Sequence, residues 1–348
     1  MPQALQAPPR VKKPLRRRRA PDRSQLLRRG FQAAFLFLNL WIGVEFLLFV
    51  RFHETGGATT WVPRPAGVEG WLPIASLMNL KAWLLTGEIP PRHPAGMFLI
   101  SAFLAIAFFF RKSFCSWLCP IGTVSEWLWR LGQQTFGRNF RLPRKVDIPL
   151  RGLKYLLLGL FLYAVLSMPV AGIRAFLDGP YGMVADVRML NFFRYMSITT
   201  AVTVGVLVLL SVFVQNFWCR YLCPYGAMLG IVALVSPARI RRDPEACIDC
   251  AKCSRECPSR LPVDKLVTIQ SAECTACMQC VAVCPAEGAL AMGLPRRRRL
   301  PAWALAAGIA VIFLGVYGWA QWSGYWTTNV PTEVYFDLIP RAHEFGHP

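Results

Sequence analysis

Five stretches of the chain are apolar almost without interruption: residues 31–50, 94–110, 153–173, 198–217 and 302–322. Each is near the ~20 residues that a helix needs to cross a bilayer core. The second is short and borrows from its flanks. A further apolar segment, residues 70–87 (GWLPIASLMNLKAWLLTG), falls between the first two. It predicts an interfacial or re-entrant helix, or equally a helix packed on the bundle. The first stretch is too long for a signal-peptide core and no small-x-small cleavage site follows it, so it is expected to be retained. The pattern predicts an α-helical polytopic membrane protein with about five transmembrane helices.

Charge orients these spans. The 348 residues are 54% hydrophobic and 17% charged, and the net charge is +20. With a cytoplasmic N-terminus, residues 1–30, 111–152 and 218–301 lie inside and hold 30 Lys and Arg. The outside segments, 51–93, 174–197 and 323–348, hold 8. The last one, Lys154, can snorkel from the inner start of the third span. This asymmetry follows the positive-inside rule. The basic excess therefore reports topology and contact with anionic lipid, not nucleic acid. All 12 cysteines fall in the two larger inside segments. Structural disulfides need the opposite placement, so reduced thiols here point to metal.

The expected organisation is a basic cytoplasmic arm (1–30), a first hairpin (31–152), a second hairpin (153–242), a Cys-rich module (243–293), a fifth helix (302–322) and a periplasmic tail (323–348). The arm carries Pro2, Pro8, Pro9, Pro14 and Pro21 beside the Arg16–Arg19 run, a composition that predicts disorder.

The most specific motif is Cys247-x2-Cys250-x2-Cys253-x3-Cys257-Pro258, repeated as Cys274-x2-Cys277-x2-Cys280-x3-Cys284-Pro285. A cubane cluster takes three thiolates from one tight loop and a fourth, before proline, from the other run. The first [4Fe–4S] cluster is thus expected on Cys247, Cys250, Cys253 and Cys284. The second is expected on Cys274, Cys277, Cys280 and Cys257. Zinc sites pair two short motifs across a longer gap and use four ligands, not eight. All-thiolate ligation predicts low potentials and reductive electron transfer. The module reads as an inserted bacterial-type 2[4Fe–4S] ferredoxin domain.

A second motif repeats as well. Phe114-Cys115-Ser116-Trp117-Leu118-Cys119-Pro120-Ile121-Gly122 and Trp218-Cys219-Arg220-Tyr221-Leu222-Cys223-Pro224-Tyr225-Gly226 share one form, with their cysteines 104 residues apart. Each copy follows a two-span hairpin, so both end on one side, a two-hairpin parallel repeat. On a helix, Cys115 and Cys119 would share a face, as would Cys219 and Cys223. Four thiols near one spot could hold a further cluster, a copper or a zinc ion, or act as a redox dithiol. Buried packing is the plainer reading of a free Cys, and recurrence with the same neighbours argues against it.

Other candidates are weaker. His53, His93, His343 and His347 all fall outside, and His53 and His93 flank the first two spans, where a haem or quinone role is conceivable. Glu45 is costly inside a span unless paired or functional, which makes it a candidate for proton handling. Asn39 reads as an interhelical hydrogen-bonding residue. No Ser/His/Asp arrangement, P-loop or dinucleotide fingerprint occurs. The chain is therefore expected to relay electrons as part of an oxidoreductase system, with no catalytic residue of its own.

Together, FCSWLCPIGT, WCRYLCPYGA and CIDCAKCSRECPSRLPVDKL resemble the membrane polyferredoxins of the NapH/NosR/CcoG group, most nearly the YccM type. The similarity extends to GVEGWLPIASLMNLKAWLLTGEIP, DIPLRGLKYLLL and the final GHP. The resemblance implies a bacterial inner-membrane carrier connected with the quinone pool or with a periplasmic cytochrome or oxidoreductase. The chain lacks the large periplasmic flavin-binding domain of the NosR type. It has 26 residues after the fifth span where the CcoG type carries a folded domain. A copper reductase or assembly factor, and a redox-sensing regulator, are the alternative readings.

Overall fold

The computed structural model describes residues 16–18, 22–295 and 298–346. The long apolar runs are helical. Helix α1 spans Ser24–Glu54 and overruns the expected first stretch at both ends. A 3-10 helix, Ala66–Trp71, leads into α2, Pro73–Thr86. Helix α3, Pro94–Phe110, opens on a proline at its first position, where no N–H is needed. It matches the second predicted span. Helices α4 (Phe114–Trp117) and α5 (Pro120–Phe136) follow, then α6 (Arg144–Ser167). Three shorter helices, α7 (Val170–Asp178), α8 (Pro180–Met183) and α9 (Ala185–Arg194), precede α10 (Ile198–Phe213). A π-helical turn, Trp218–Leu222, leads into α11, Pro224–Val232.

Among the described residues, α1, α6 and the later α14 (Ala302–Trp322) are long and apolar enough to cross a membrane. Helices α9 and α10 pass the same test as a pair bent by 82°, and α3 is a shorter apolar helix. In α10 the one buried residue is Ser211, so its Val and Leu side chains face outward. Such an inside-out helix suits lipid and not water. Helix α2 lies along α3 and buries Ala75, Met78, Asn79 and Ala82, while Trp83, Leu84 and Leu85 stay exposed.

The Cys-rich module is built between β1 (Arg239–Arg242) and β2 (Leu290–Gly293), which pair antiparallel with Ile240 opposite Met292. Two one-turn helices, α12 (Lys252–Arg255) and α13 (Gln279–Ala282), carry the third cysteine of each run. A terminal helix, α15 (Thr332–Leu338), packs with Phe46, Phe49, Val184 and Val187.

Two expectations change. The basic arm does not reach residue 30, because α1 already begins at Ser24. Arg17 forms an antiparallel bridge with Ala286, and Arg18 N–H donates to the Pro285 carbonyl, so this part of the arm lies on the Cys-rich module. Arg19, Pro2, Pro8, Pro9, Pro14, Pro21 and His347 lie outside the described residues. The two cysteines of each Cys-x3-Cys-Pro motif do not share one continuous helix. Proline disfavours helical backbone at the residue before it, and Cys119 and Cys223 are extended, with ψ of 118° and 104°.

Candidate functional site

The two C-x2-C-x2-C loops fold alike. Asp249 and Ala276, each before the second cysteine, take φ of 53° and 51°. Ala251 and Met278, each after it, take 56° and 57°. Left-handed backbone at non-glycine residues costs energy, and it recurs here at matching positions 27 residues apart. It bends each loop so that successive thiols and N–H groups turn toward one centre.

The thiols fall into two sets. Cys257, Cys274, Cys277 and Cys280 line one small cavity with Pro258, Ala276 and Met278. Burial pushes the Cys257 thiol up to about 12, with the nearby Cys277 adding to it. Burial also raises Cys284, whose closest thiol neighbours are Cys250 and Cys247. Cys253 is raised in the same way, beside Cys284 and Cys247. Each fourth cysteine thus faces the opposite run. Thiols that burial holds protonated are poor free nucleophiles, and the positive iron of a cluster is what such a pocket needs before they ionise. The donor set therefore fits two [4Fe–4S] clusters. The first set reaches the surface at the exposed Cys250, while Cys274 and Cys280 are buried.

The repeated Cys-x3-Cys-Pro motifs meet at a second, larger cavity of about 620 Å³. Cys115, Cys119, Cys219 and Cys223 all line it, and so does Cys277 of the module. The motif residues explain this placement. Each second cysteine closes an i→i−5 turn: Cys119 N–H donates to Phe114 and Cys223 N–H to Trp218. Each then caps the next helix, accepting from Gly122 N–H at 3.4 Å and from Gly226 N–H at 3.2 Å. Backbone donors at a helix start favour the thiolate. Burial still raises Cys119 to about 11, and burial with the charges of the other three thiols raises Cys219 further. Among the described residues no three His, Cys, Asp or Glu groups close around a point that could hold a single metal ion. The four thiols line the walls of the cavity. Above them the cavity is apolar, with Phe35, Leu38, Ile42, Leu99, Phe103 and Phe313.

Both motif copies hold the module at its second thiol set. Ser116 Oγ donates to Thr275 O at 2.6 Å and Trp117 Nε1 to Ala276 O at 3.2 Å. Arg220 Nη1 reaches Pro258 O at 3.4 Å. The same Arg220 pairs with Asp147 at 2.9 Å, and Tyr221 Oη donates to Asp147 at 2.6 Å. Lys154 Nζ donates to both Glu273 oxygens, at 2.6 and 2.7 Å, just before Cys274. Gln25 donates to Cys277 O. Arg28, 1% exposed, forms a two-pronged pair with Glu126 at 2.6 Å. Burial pushes the Glu126 carboxyl up, but the Arg28 bonds and charge outweigh it and hold it at about 2. These charges were legible only as isolated polar residues near spans; their pairing is tertiary.

The remaining candidates scatter. Asn39 lines the cavity but donates back to Phe35 O in its own helix, not across helices. Glu45 is half-buried in α1 with no hydrogen bond or ion pair among the described residues. His53 is buried against Phe49, Phe52 and Phe336. His93 joins a buried outer cluster that sequence reasoning missed. Arg64 pairs with Glu69 at 2.8 Å and Asp186 at 2.6 Å, and His93 Nδ1 lies 3.5 Å from Glu69. Burial lowers the His93 ring's basicity, but Glu69 outweighs this and raises it. His343 is exposed beside Arg188.

Comparison with known proteins bears on these sites. A family described as "4Fe-4S binding domain" matches residues 92–139 and again residues 196–242. A family described as "4Fe-4S dicluster domain" matches residues 239–285. The chain is 48% identical over 326 residues to "Putative electron transport protein YccM" of Escherichia coli (strain K12), covering 92% of this chain and 91% of that one. It is 31% identical over 249 residues to NirI of Paracoccus denitrificans (strain Pd 1222), which is 70% of this chain and 35% of NirI. It is 30% identical over 229 residues to the ferredoxin-type protein NapH of Haemophilus influenzae, covering 58% of this chain and 71% of NapH. No solved structure matches.

Proposed function

We propose that this chain, which belongs to the YccM family of iron–sulfur electron-transport proteins, relays electrons across the inner-membrane surface between a cytoplasmic ferredoxin module and a quinone or periplasmic redox partner. Cysteines 247, 250, 253 and 284 hold the first cluster, and 274, 277, 280 and 257 hold the second. Cys115, Cys119, Cys219 and Cys223 hold a third redox centre. Five spans, with α3 and α10 completing α1, α6 and α14, keep the N-terminus and the module inside and the tail outside. The charge asymmetry supports that orientation.

One observation carries the reading: Cys277 lines both the small cavity of the second thiol set and the large cavity of the four repeat thiols. An electron on the second cluster would sit next to the third centre. Bound there, [4Fe–4S] clusters supply one-electron storage. The residues of the chain do the rest. Ser116, Trp117 and Arg220 fix the distance, Lys154–Glu273 locks the docked module, Arg28–Glu126 ties α1 to α5 beside it, and the apolar upper cavity admits a hydrophobic acceptor while excluding water. Iron and sulfide content of anaerobically purified protein tests this. About twelve irons per chain are expected, falling to about eight in Cys115→Ser/Cys219→Ser. Stoichiometric zinc without iron would overturn it.

A further inference from the structure

Lys112 is 4% exposed and lines the cavity of the four repeat thiols. It lies close enough for its charge to act on Cys115, Cys219 and Cys223. Its backbone carbonyl accepts from Cys115 N–H, and among the described residues its ammonium makes no hydrogen bond or ion pair. Its neighbour Arg111 instead turns to Ser271 O at 2.5 Å. The carboxylate nearest in effect is Glu273, on which the Lys112 charge acts strongly, but both of its oxygens are hydrogen-bonded by Lys154.

Five other cations facing this end each bond a carboxylate, sharing three between them; buried Arg111 has a backbone carbonyl instead. Glu126 is held by Arg28 and Arg130. Asp147 is held by Arg220 and Arg151. Counting each element, Lys112, Arg28, Arg130, Arg151, Lys154 and Arg220 stand against Glu126, Asp147 and Glu273. A buried cation without a partner is expensive, so the inner end of the cavity is built for an anionic occupant. The cations near the ferredoxin thiols differ. Arg28, near Cys277, is paired with Glu126, and Arg18, near Cys284, is paired with Asp22. The repeat sharpens this, because the position 104 residues after Lys112 is Asn216, which also lines the cavity and is neutral.

We infer that Lys112 balances the negative charge of the four-thiolate centre and makes that centre the electron-accepting end of the relay. This rests on the reading of Cys115, Cys119, Cys219 and Cys223 as ligands of a third cluster. A fixed positive charge stabilises the reduced, more negative form. One electron then leaves the second ferredoxin cluster, which is oxidised, and enters the four-thiol centre, which is reduced. No proton moves in this step. Electrons thus run from the cytoplasmic module toward the membrane cavity.

EPR-monitored redox titration of the full-length protein in detergent tests this, with iron content measured on the same sample. The wild type should show three centres, the four-thiol signal being the one lost in Cys115→Ser/Cys219→Ser, and that signal should appear at the highest potential. Lys112→Met should lower the reduced-to-oxidised ratio of that centre on the order of tenfold at fixed potential (59 mV for one electron), with the other two unmoved. Lys112→Arg should restore it. Should Lys112→Met not assemble, Asn216→Asp provides the second arm. Aspartate tolerates the φ of 53° at that position, and its added negative charge should shift the same signal the same way. Twelve irons with a four-thiol signal that ignores both variants, or that is the lowest of the three, overturns the inference alone. Eight irons and no third signal overturns it together with the reading beneath it.

Discussion

The two cysteine loops of the ferredoxin module have the same spacing and the same left-handed residues, yet they live in different surroundings. The first presents Cys250 to solvent, and the N-terminal residues 16–18 lie along Pro285–Glu287, past the end of the second run. The second is clasped by six hydrogen bonds from α1, the two motif copies and α6, and it shares a wall with the cavity of the repeat thiols. Equal chemistry has been given unequal roles by docking. The exposed loop suits exchange with a soluble partner, and the buried loop suits exchange with the membrane domain.

The largest effect should come from cutting the shared wall. Cys277→Ser should confine reduction by a soluble donor to the first cluster. Stopped-flow bleaching would then show a single phase with one cluster's amplitude. Retention of every phase would break the contrast between the loops.

Next comes the clasp. Asp147→Ala leaves Arg220 buried and unpaired, and removal of one partner of such a pair costs about 3–5 kcal/mol. Denaturant unfolding should show the loss. Limited proteolysis should cut the module free of the membrane domain while Cys250-side iron is retained.

Glu126 gives the α1–α5 wall beside the clasp a pH dependence. Its folded value, about 2, lies below the ordinary 4.5. Its stabilisation is therefore complete above roughly pH 5 and is lost as pH falls from there through about 2. The size is on the order of 3 kcal/mol. Glu126→Gln should flatten that acid limb of a stability-versus-pH curve, and an unchanged limb would mean that the Arg28–Glu126 pair does not stabilise that wall.

The smallest effect separates the two motif copies. A Cβ on Gly122 would meet Cys115 O at 2.2 Å, whereas one on Gly226 would meet nothing nearer than Cys223 Sγ at 3.6 Å. Gly122→Ala should cost about 1–3 kcal/mol, and Gly226→Ala well under 1 kcal/mol, as read by thermal unfolding.

The chemistry was legible in the sequence because cysteine spacing is local. The eight ferredoxin thiols sort into two sets along their own chain, and the repeat at Cys115 and Cys219 declares itself by its neighbours. Helix α3 was legible to the residue, since His93 and Arg111 bound an uncharged run broken only by Ser101. The bend between α9 and α10 was not, because an apolar stretch does not report its direction. The extended backbone at Cys119 could have been read from Pro120, and the i, i+4 reading passed over it. Lys112, Asp147 and Glu273 could not be placed. Their roles depend on partners tens to more than a hundred residues away, and a lone charge beside a span looks the same whether it snorkels or locks a domain.

The central claim is that the buried ferredoxin loop and the four repeat thiols form adjacent redox centres. EPR of the fully reduced protein tests it most directly. The account predicts a magnetic interaction beyond that of two ferredoxin clusters, which collapses to the two-cluster spectrum in Cys115→Ser/Cys219→Ser. A wild-type spectrum already identical to that of the double variant would contradict it.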